Sequence, residues 1–540
     1  MLPEEPGSPD PAAQVPSSPD PTSPATSEAD APPEAREAWW RRKSVQAAGG
    51  LLLAGLTWAL AFPSSGPLVA RMAAVAVLMA AWWVLEVVPL YVTALLPLVL
   101  FPLLRIASLD KTAASYGKST LFLFLGGFLL ALGLQRAGLH RRIALRIVAA
   151  IGSRPTRLVL GFMLATALLS MWISNTASVM VMLPIALSVL EEAKGGGRPE
   201  GEVALLGTAV MLGIAYAADI GGMATPVGTP PNLVLIDQLP ELLPGAPAIG
   251  FGQWLALGLP LSALFLLSGW WVLTRRVFPL ASEPVFGESH VVHEALERLG
   301  PVRRDEVLAG LVFLCAALLW VTGADVQLGP GLKLTGWRAW LDLQGFDDGS
   351  VAIGAALLLF LLPSERPGER LMDWPTVQRQ LPWGLLLLFG GGFALAAGFK
   401  SSGLSDAIGR SLTSLSGLSP LALIALVCLV LTFLTELTSN TATTALVLPI
   451  LASVGPTLGI DPRALMIPAT LSASCAFMMP VASPTQAIVF GSGYVTIGQM
   501  VRAGLWFNAL GVVLVTALFA TVGVAVFGID LGVVPAWAGR

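Results

Sequence analysis

Residues 158–190 read LVLGFMLATALLSMWISNTASVMVMLPIALSVL, without one charged side chain, and residues 420–452 read PLALIALVCLVLTFLTELTSNTATTALVLPILA. Both stretches are apolar enough for a membrane, and both are interrupted by the same tripeptide, Ser174-Asn175-Thr176 and Ser439-Asn440-Thr441. The flanking pieces of the first, 158–173 and 177–190, are shorter than the ~20 residues a helix needs to span a bilayer. Two short helices joined at a polar tip make a re-entrant hairpin. Such a tip is tolerated only where it is buried in protein or faces a water-filled cavity. The expectation is therefore two hairpins, one in each half of the chain.

Working outward, the halves align at one constant offset. Gly126-Gly127-Phe128 matches Gly391-Gly392-Phe393, and Gly138-Leu139 matches Gly403-Leu404, both 265 residues apart. The tripeptides keep that spacing, as do Leu183-Pro184-Ile185 and Leu448-Pro449-Ile450. If each repeat makes five crossings, the second is inverted relative to the first. Inverted repeats with interrupted segments in matching places are the sequence mark of alternating-access transporters.

Composition agrees. The chain has 540 residues, 55% hydrophobic and 12% charged, about half the charged share of a soluble protein. Its mean hydropathy is +0.75. The net charge of −3 offers no basic field for nucleic acid. Apolar stretches at 45–62, 67–88, 89–104, 119–137, 203–238, 252–274, 306–322, 349–362, 383–399, 463–497 and 501–526 give about eleven crossings. The fold class is an all-α polytopic membrane protein with two re-entrant hairpins in two inverted repeats.

Residues 1–38 carry ten prolines and eight acids against one base, Arg36, and read as a disordered cytoplasmic tail. A first transmembrane helix at 39–66 follows, entered through Trp39, Trp40, Arg41, Arg42 and Lys43, an interface anchor. The first repeat covers 67–280, with its hairpin at 155–190 entering from the cytoplasm. A cytoplasmic loop, 281–304, leads into the second repeat, 305–527, whose hairpin at 420–452 enters from outside, and a tail, 528–540. The orientation rests on Arg141, Arg142, Arg146, Arg154 and Arg157 in the loop 140–157, against only Lys400 and Arg410 in 400–419. It places the chain in the cell's inner (plasma) membrane with the N-terminus and Gly196 in the cytoplasm, and Gly331 and the C-terminus outside.

Each repeat has a second interruption. The first runs Gly221-Gly222-Met223-Ala224-Thr225-Pro226-Val227-Gly228-Thr229-Pro230-Pro231-Asn232, the other Met479-Pro480-Val481-Ala482-Ser483-Pro484-Thr485-Gln486. Proline and glycine unwind a helix and free its carbonyls. Those carbonyls, with Ser, Thr and Asn oxygens, are hard neutral ligands for an alkali cation. Half-helix N-termini suit an anion beside it. The only ionisable residues near the four motifs are Asp219 and Glu436, with no Lys or Arg to neutralise an anion. A dianion crossing low dielectric therefore needs accompanying cations. Asp219 reads as a cap on the unwound Gly221–Gly222 backbone, a role Asn would fill as well; a proton relay or a charge lent to a cation is the alternative. Glu436 is read the same way. Cys315, Cys428 and Cys475 stand apart as small core residues, without ligand spacing. His140 reads as solvated, and His290 and His293 suggest no metal site. Paired catalytic acids, a His/Cys cluster and a nucleotide loop are missing, which argues against an enzyme, and matched midplane hairpins suit an occluded site better than a channel.

These motifs resemble the divalent anion:sodium symporter family, over about residues 45–527. The carriers of the likeness are the paired Ser-Asn-Thr tips, the run Thr225 to Asn232, and Ser474-Cys475-Ala476-Phe477 leading into Pro480-Val481-Ala482. The resemblance implies a homodimer with a scaffold and a moving transport domain, an elevator mechanism, and no organic cofactor. It implies symport of a small dianion, most simply a C4-dicarboxylate such as succinate, with two or more Na+. A sodium-independent exchanger, or a sulfate or citrate carrier of the same fold, is the alternative. The implied first sodium site is Ser170, Ser174, Asn175 and Gly228, the second Thr435, Ser439, Asn440 and Ala482. The implied substrate contacts are Asn175, Thr176, Thr229, Asn440, Thr441, Ser483 and Pro484. One departure stands out: where the family commonly reads Thr-Pro-Pro-Asn in the second break, this chain has Ser483-Pro484-Thr485-Gln486, which bears on substrate preference more than on coupling.

Overall fold

The computed structural model describes residues 33–538 apart from 153, 196–198, 281–289, 325, 328–332, 344 and 412–416. Most of the expected tail, together with Gly196 and Gly331, lies outside these residues. The architecture is helical; the one sheet among the described residues pairs Val326–Gln327 with Lys333–Leu334, two residues each. Eight helical stretches in the described part are long and apolar enough to cross a bilayer.

The duplication read from sequence recurs in the helix boundaries. The first hairpin is Pro155–Ser170 followed by Asn175–Gly195, the second Pro420–Thr435 followed by Asn440–Thr457. Three of the four bounds repeat at the same 265-residue offset. Each hairpin opens on a proline, which loses nothing at a position whose N–H has no intrahelical acceptor. Each second arm is capped by the tip serine: Ser174 Oγ accepts from Ala177 N at 3.3 Å and Ser439 Oγ from Ala442 N at 3.5 Å. Gly138 (φ 84°) and Gly403 (φ 76°) end Ser119–Ala137 and Trp383–Ser402 in the left-handed conformation that glycine alone adopts freely.

Several boundaries differ from expectation. The helix Pro33–Ser65 begins inside the expected tail. The second arm of the first hairpin is not short: it runs 21 residues, because Glu191, Glu192 and Lys194 are good helix formers that continue it beyond the apolar run. The expected crossings at 203–238 and 463–497 are broken, as Glu200–Gly222 with Pro230–Leu242 and as Arg463–Ala473 with Pro484–Phe490. Residues 89–104 fold as Leu90–Thr93 and Leu96–Leu103, and at about 1.5 Å rise per residue this unit is well short of a ~30 Å core. Asp348–Leu361 is similarly short.

Three segments read as loop or tail contain ordered structure in their described residues. Residues 139–151 form a helix, and Arg142 is buried on it rather than solvated: its Nε meets Glu306 at 2.5 Å and its Nη1 donates to Gly300 O at 2.8 Å. It therefore adds nothing to a count of loop charges. The loop 281–304 contains the helix His290–Arg298. Beyond Phe527 the chain folds back, so that Trp537 lies 5.1 Å below the Arg463 guanidinium, itself paired with Asp461 at 2.7 Å. Cys428 and Cys475 are buried as expected, whereas Cys315 is exposed. The helix Glu200–Gly222 is enclosed on all sides from residue 206 onward, which fits its apolar composition there, with Asp219 as the one charged exception in that stretch. Behind it Tyr216, Phe265, Phe477 and Phe507 form an edge-to-face and stacked cluster with centroids 4.5 to 6.2 Å apart, a rigid backing for the breaks.

Candidate functional site

The four interruptions meet around one cavity of about 830 Å3. Ser174, Asn175, Thr176, Gly228, Thr229, Ser439, Asn440, Thr441, Ala482, Ser483 and Pro484 all line it. Ser170 and Thr435 do not; they stand one layer behind, each bonded to the asparagine of its own hairpin.

The two asparagines sit in matching frames. Ser170 Oγ shares its one proton between Asn175 Oδ1 at 2.8 Å and Ala218 O at 2.7 Å. Thr435 Oγ1 shares its proton between Asn440 Oδ1 at 2.6 Å and Ala473 O at 2.8 Å. A buried hydroxyl thus fixes each amide and ties each hairpin to its neighbouring broken helix. The amide oxygens, the hydroxyls and the loosened carbonyls at the ends of these helices are hard, neutral donors, which suits an alkali cation. Among the described residues there is no cluster of three His, Cys, Asp or Glu side chains.

The breaks are held open by specific partners. Asn232 Nδ2 donates to Gly222 O at 3.2 Å and to Thr225 O at 2.8 Å, and Trp254 Nε1 donates to Met223 O at 3.0 Å. Thr225 Oγ1 donates to Met171 O and accepts from Gly228 N at 3.1 Å. In the second break Glu436 accepts from the backbone amides of Phe477, Met478 and Met479 at 2.7 to 3.2 Å. It therefore caps unwound backbone, as expected, and Asn508 Nδ2 adds a further bond at 2.7 Å.

Asp219 does something else. No backbone amide of the break reaches it. Its carboxylate accepts from Asn175 Nδ2 at 3.0 Å, from Thr485 Oγ1 at 3.1 Å and, more loosely, from Ser483 Oγ at 3.5 Å and Gln486 Nε2 at 3.4 Å. It is 1% exposed, and it bridges the first hairpin to the second broken helix. The extra methylene of Gln486, noted as a departure, carries that amide to Asp219. The capping expectation is thus corrected. The sequence signal was present, since Asp219 and Gln486 were its two oddities, but nothing in the sequence placed them together.

Lys43 was also missed as a site residue. It lines the mouth of the cavity with Glu86, its Nζ donating to Leu85 O at 3.2 Å and Glu86 O at 2.5 Å. Its place in sequence, far from every motif, concealed this.

Comparisons with known proteins give the family and the fold. Residues 51–529 match the family described as the sodium:sulfate symporter transmembrane region. The chain is 38% identical over 464 residues to a protein of Staphylococcus saprophyticus subsp. saprophyticus named sodium-dependent dicarboxylate transporter SdcS, covering 85% of this chain and 87% of that one. It is 37% identical over 463 residues to the SdcS of Staphylococcus aureus, covering 85% and 86%. Among solved structures, Neisseria gonorrhoeae MtrF, described within a class of antimetabolite efflux pumps, aligns with a TM-score of 0.52 at 17% identity, over 79% of this chain and 86% of that one, a likeness of fold. The chain is a multi-pass membrane protein, and it belongs to the sodium:sulfate symporter family, the divalent anion:sodium symporters, a family of transporters and not of enzymes.

Proposed function

We propose that this protein is a sodium-coupled symporter of small divalent anions, with C4-dicarboxylates such as succinate as the first candidates. One observation carries the reading: two asparagine frames of the same construction, from the two halves of the chain, face a single cavity. Two relatives named for sodium-dependent dicarboxylate transport support it.

The chemistry follows from the ends of the helices. Asn175–Gly195, Pro230–Leu242 and Asn440–Thr457 all begin at the cavity; the free N–H groups of the first and third favour an anion there, and Pro230–Leu242, opening on two prolines, adds its dipole alone. Ser483 and Thr441 add hydroxyls, and Thr176 and Thr229 stand beside the asparagines. The opposite polarity, the carbonyl ends of Pro155–Ser170 and Pro420–Thr435, lies behind the tips. Sodium ions held by Ser170, Ser174, Asn175 and Gly228, and by Thr435, Ser439, Asn440 and Ala482, offset the charge of the dianion. The loaded, nearly neutral site then moves by an elevator-type step between the two faces of the plasma membrane, in a homodimer whose hairpins are re-entrant, whose repeats are inverted, and whose N-terminus is cytoplasmic and C-terminus outside. Lys43 at the mouth attracts the anion.

The test is succinate uptake by reconstituted vesicles. Uptake is expected to rise with sodium more steeply than first order, and potassium or choline is not expected to replace it. Equal uptake in choline would instead favour a sodium-independent exchanger; preference for sulfate or citrate over succinate would move the substrate class and leave the coupling intact.

Gly222 supplies a second test. A Cβ there would lie 2.7 Å from Asn175 Oδ1 and 3.2 Å from Gly228 O, so alanine must displace the amide or the carbonyl. Overpacking of this kind costs about 1–3 kcal/mol, and Gly222→Ala is expected to raise the sodium concentration for half-maximal uptake roughly five- to a hundredfold. Uptake kinetics normalised to surface expression measure it; an unchanged sodium dependence would remove Asn175 from the cation site.

A further inference from the structure

We infer that Asp219 lends a full negative charge to the first cation site, so that the two sodium sites, alike in frame, are unequal in strength. The inference rests on the symporter reading above. Its first support is the comparison of frames. Ala218 O and Ala473 O take the same hydroxyl bond from Ser170 and Thr435. The residue following each alanine therefore occupies the matching place: Asp219 in the first half, Ser474 in the second. One half of the site has an anion where the other has a neutral hydroxyl.

The second support is the wiring of Asn175. One face of its amide, Oδ1, accepts from Ser170; the other, Nδ2, donates to Asp219 at 3.0 Å. A cation drawn to Oδ1 is thus one amide group away from a carboxylate, and the bond from Nδ2 to an anion makes Oδ1 a stronger donor to a cation. Polarisation along such a chain is cooperative.

Third, Asp219 lacks an opposite charge. It lines the cavity and is buried, and every hydrogen bond found for it comes from a neutral side chain: Asn175, Ser483, Thr485 and Gln486. No Lys or Arg ion pair reaches it among the described residues. A buried carboxylate without a cation is held at a cost. Sodium in the neighbouring frame removes that cost. The same charge repels a dianion entering before sodium, so binding order follows: the first site fills, and the anion then finds the carboxylate screened. The clamp formed by Ser483, Thr485 and Gln486 keeps the carboxylate aimed at Asn175, which accounts for the longer amide at position 486.

The test needs no transport. Purified protein in detergent is melted across a sodium series in choline-balanced buffer, without substrate, and the sodium concentration for half-maximal protection is read. A unit charge one amide group from a cation, at an effective dielectric near 20, is worth on the order of one to two powers of ten in affinity. Asp219→Asn, which keeps shape and removes charge, is expected to raise the midpoint at least tenfold. Asp219→Glu, which keeps charge, is expected to stay within a few-fold of wild type. If the Asn variant does not fold in choline, Asp219→Ser, copying Ser474, takes its place with the same expectation. A wild-type midpoint in the neutral variant overturns the inference. So do equal shifts in the Asn and Glu variants, which would make shape the agent. A wild-type protein that sodium does not protect at all is a different failure, because it removes the sodium-coupled reading itself.

Discussion

Asn175→Asp and Asn440→Asp are both expected to abolish dicarboxylate uptake while the protein remains folded in the membrane. Each asparagine presents two faces: an oxygen that accepts from Ser170 or Thr435, and an NH2 group that faces the cavity or Asp219. Aspartate keeps the oxygen, loses the two donors and adds a negative charge beside a dianion. In a partly dry site that repulsion costs several kcal/mol, equivalent to a loss of a hundredfold or more. The two variants are not equivalent. Asp at position 175 would set a second carboxylate against Asp219, now 3.0 Å from the Asn175 amide nitrogen, and two carboxylates at that distance cannot both ionise freely. Asn175→Asp is therefore expected to be the more severe and to bind sodium in an altered manner. Asn440 has no hydrogen bond to a carboxylate among the described residues, so Asn440→Asp should lose transport chiefly through the anion. Uptake normalised to surface expression decides. If either variant transports normally, that asparagine does not face the substrate.

Much of the fold was legible because apolar length and interruption are written plainly in a membrane sequence. The 265-residue repeat implied paired helices, and the observed bounds pair at Pro155 and Pro420, Ser170 and Thr435, Asn175 and Asn440. The thirteen candidate site residues came from the family resemblance that these motifs carry, and the fold brings their side chains and backbones around one cavity or directly behind it. Hydropathy failed where helix formation and apolarity part company. Glu191 to Lys194 extended a helix beyond its apolar run, and prolines 97 and 102 shortened one that looked continuous. Arg142 counted as a loop charge because its partner, Glu306, lies 164 residues away. Asp219 was misjudged for a related reason. A cap is a local device, and sequence neighbours suggest it; the partners that matter, Thr485 and Gln486, are 266 and 267 residues distant.

Glu436, by contrast, was read correctly as a cap, and it carries the largest expected effect on stability. The second break leaves the amides of Phe477, Met478 and Met479 without helical acceptors, and one carboxylate collects all three, together with Asn508 Nδ2. Hydrogen bonds to a charged acceptor contribute about 1.5–3 kcal/mol each, and a buried donor left unsatisfied costs a comparable amount. Glu436 is buried at 4% exposure, and Glu436→Ala would strand four donors, those of Phe477 and Asn508 on fully buried residues, with only such water as enters the vacated space to answer them. Allowing for that relaxation, the loss is expected to be about 3–5 kcal/mol, a large fraction of the 5–15 kcal/mol that holds a typical domain together. Glu436→Ala should therefore melt many degrees below wild type in detergent and reach the membrane poorly. Glu436→Gln, which keeps one oxygen and turns the other into an NH2 group facing donors, should fall between. Neither effect depends on sodium, since Glu436 serves backbone and not the cation frames. The measurement is melting temperature with and without sodium for the three proteins. A Glu436→Ala protein that melts with wild type would show that the unwound backbone at 477–479 is held by something other than this carboxylate. A deficit that sodium largely restored would place Glu436 in the ion site instead of behind it.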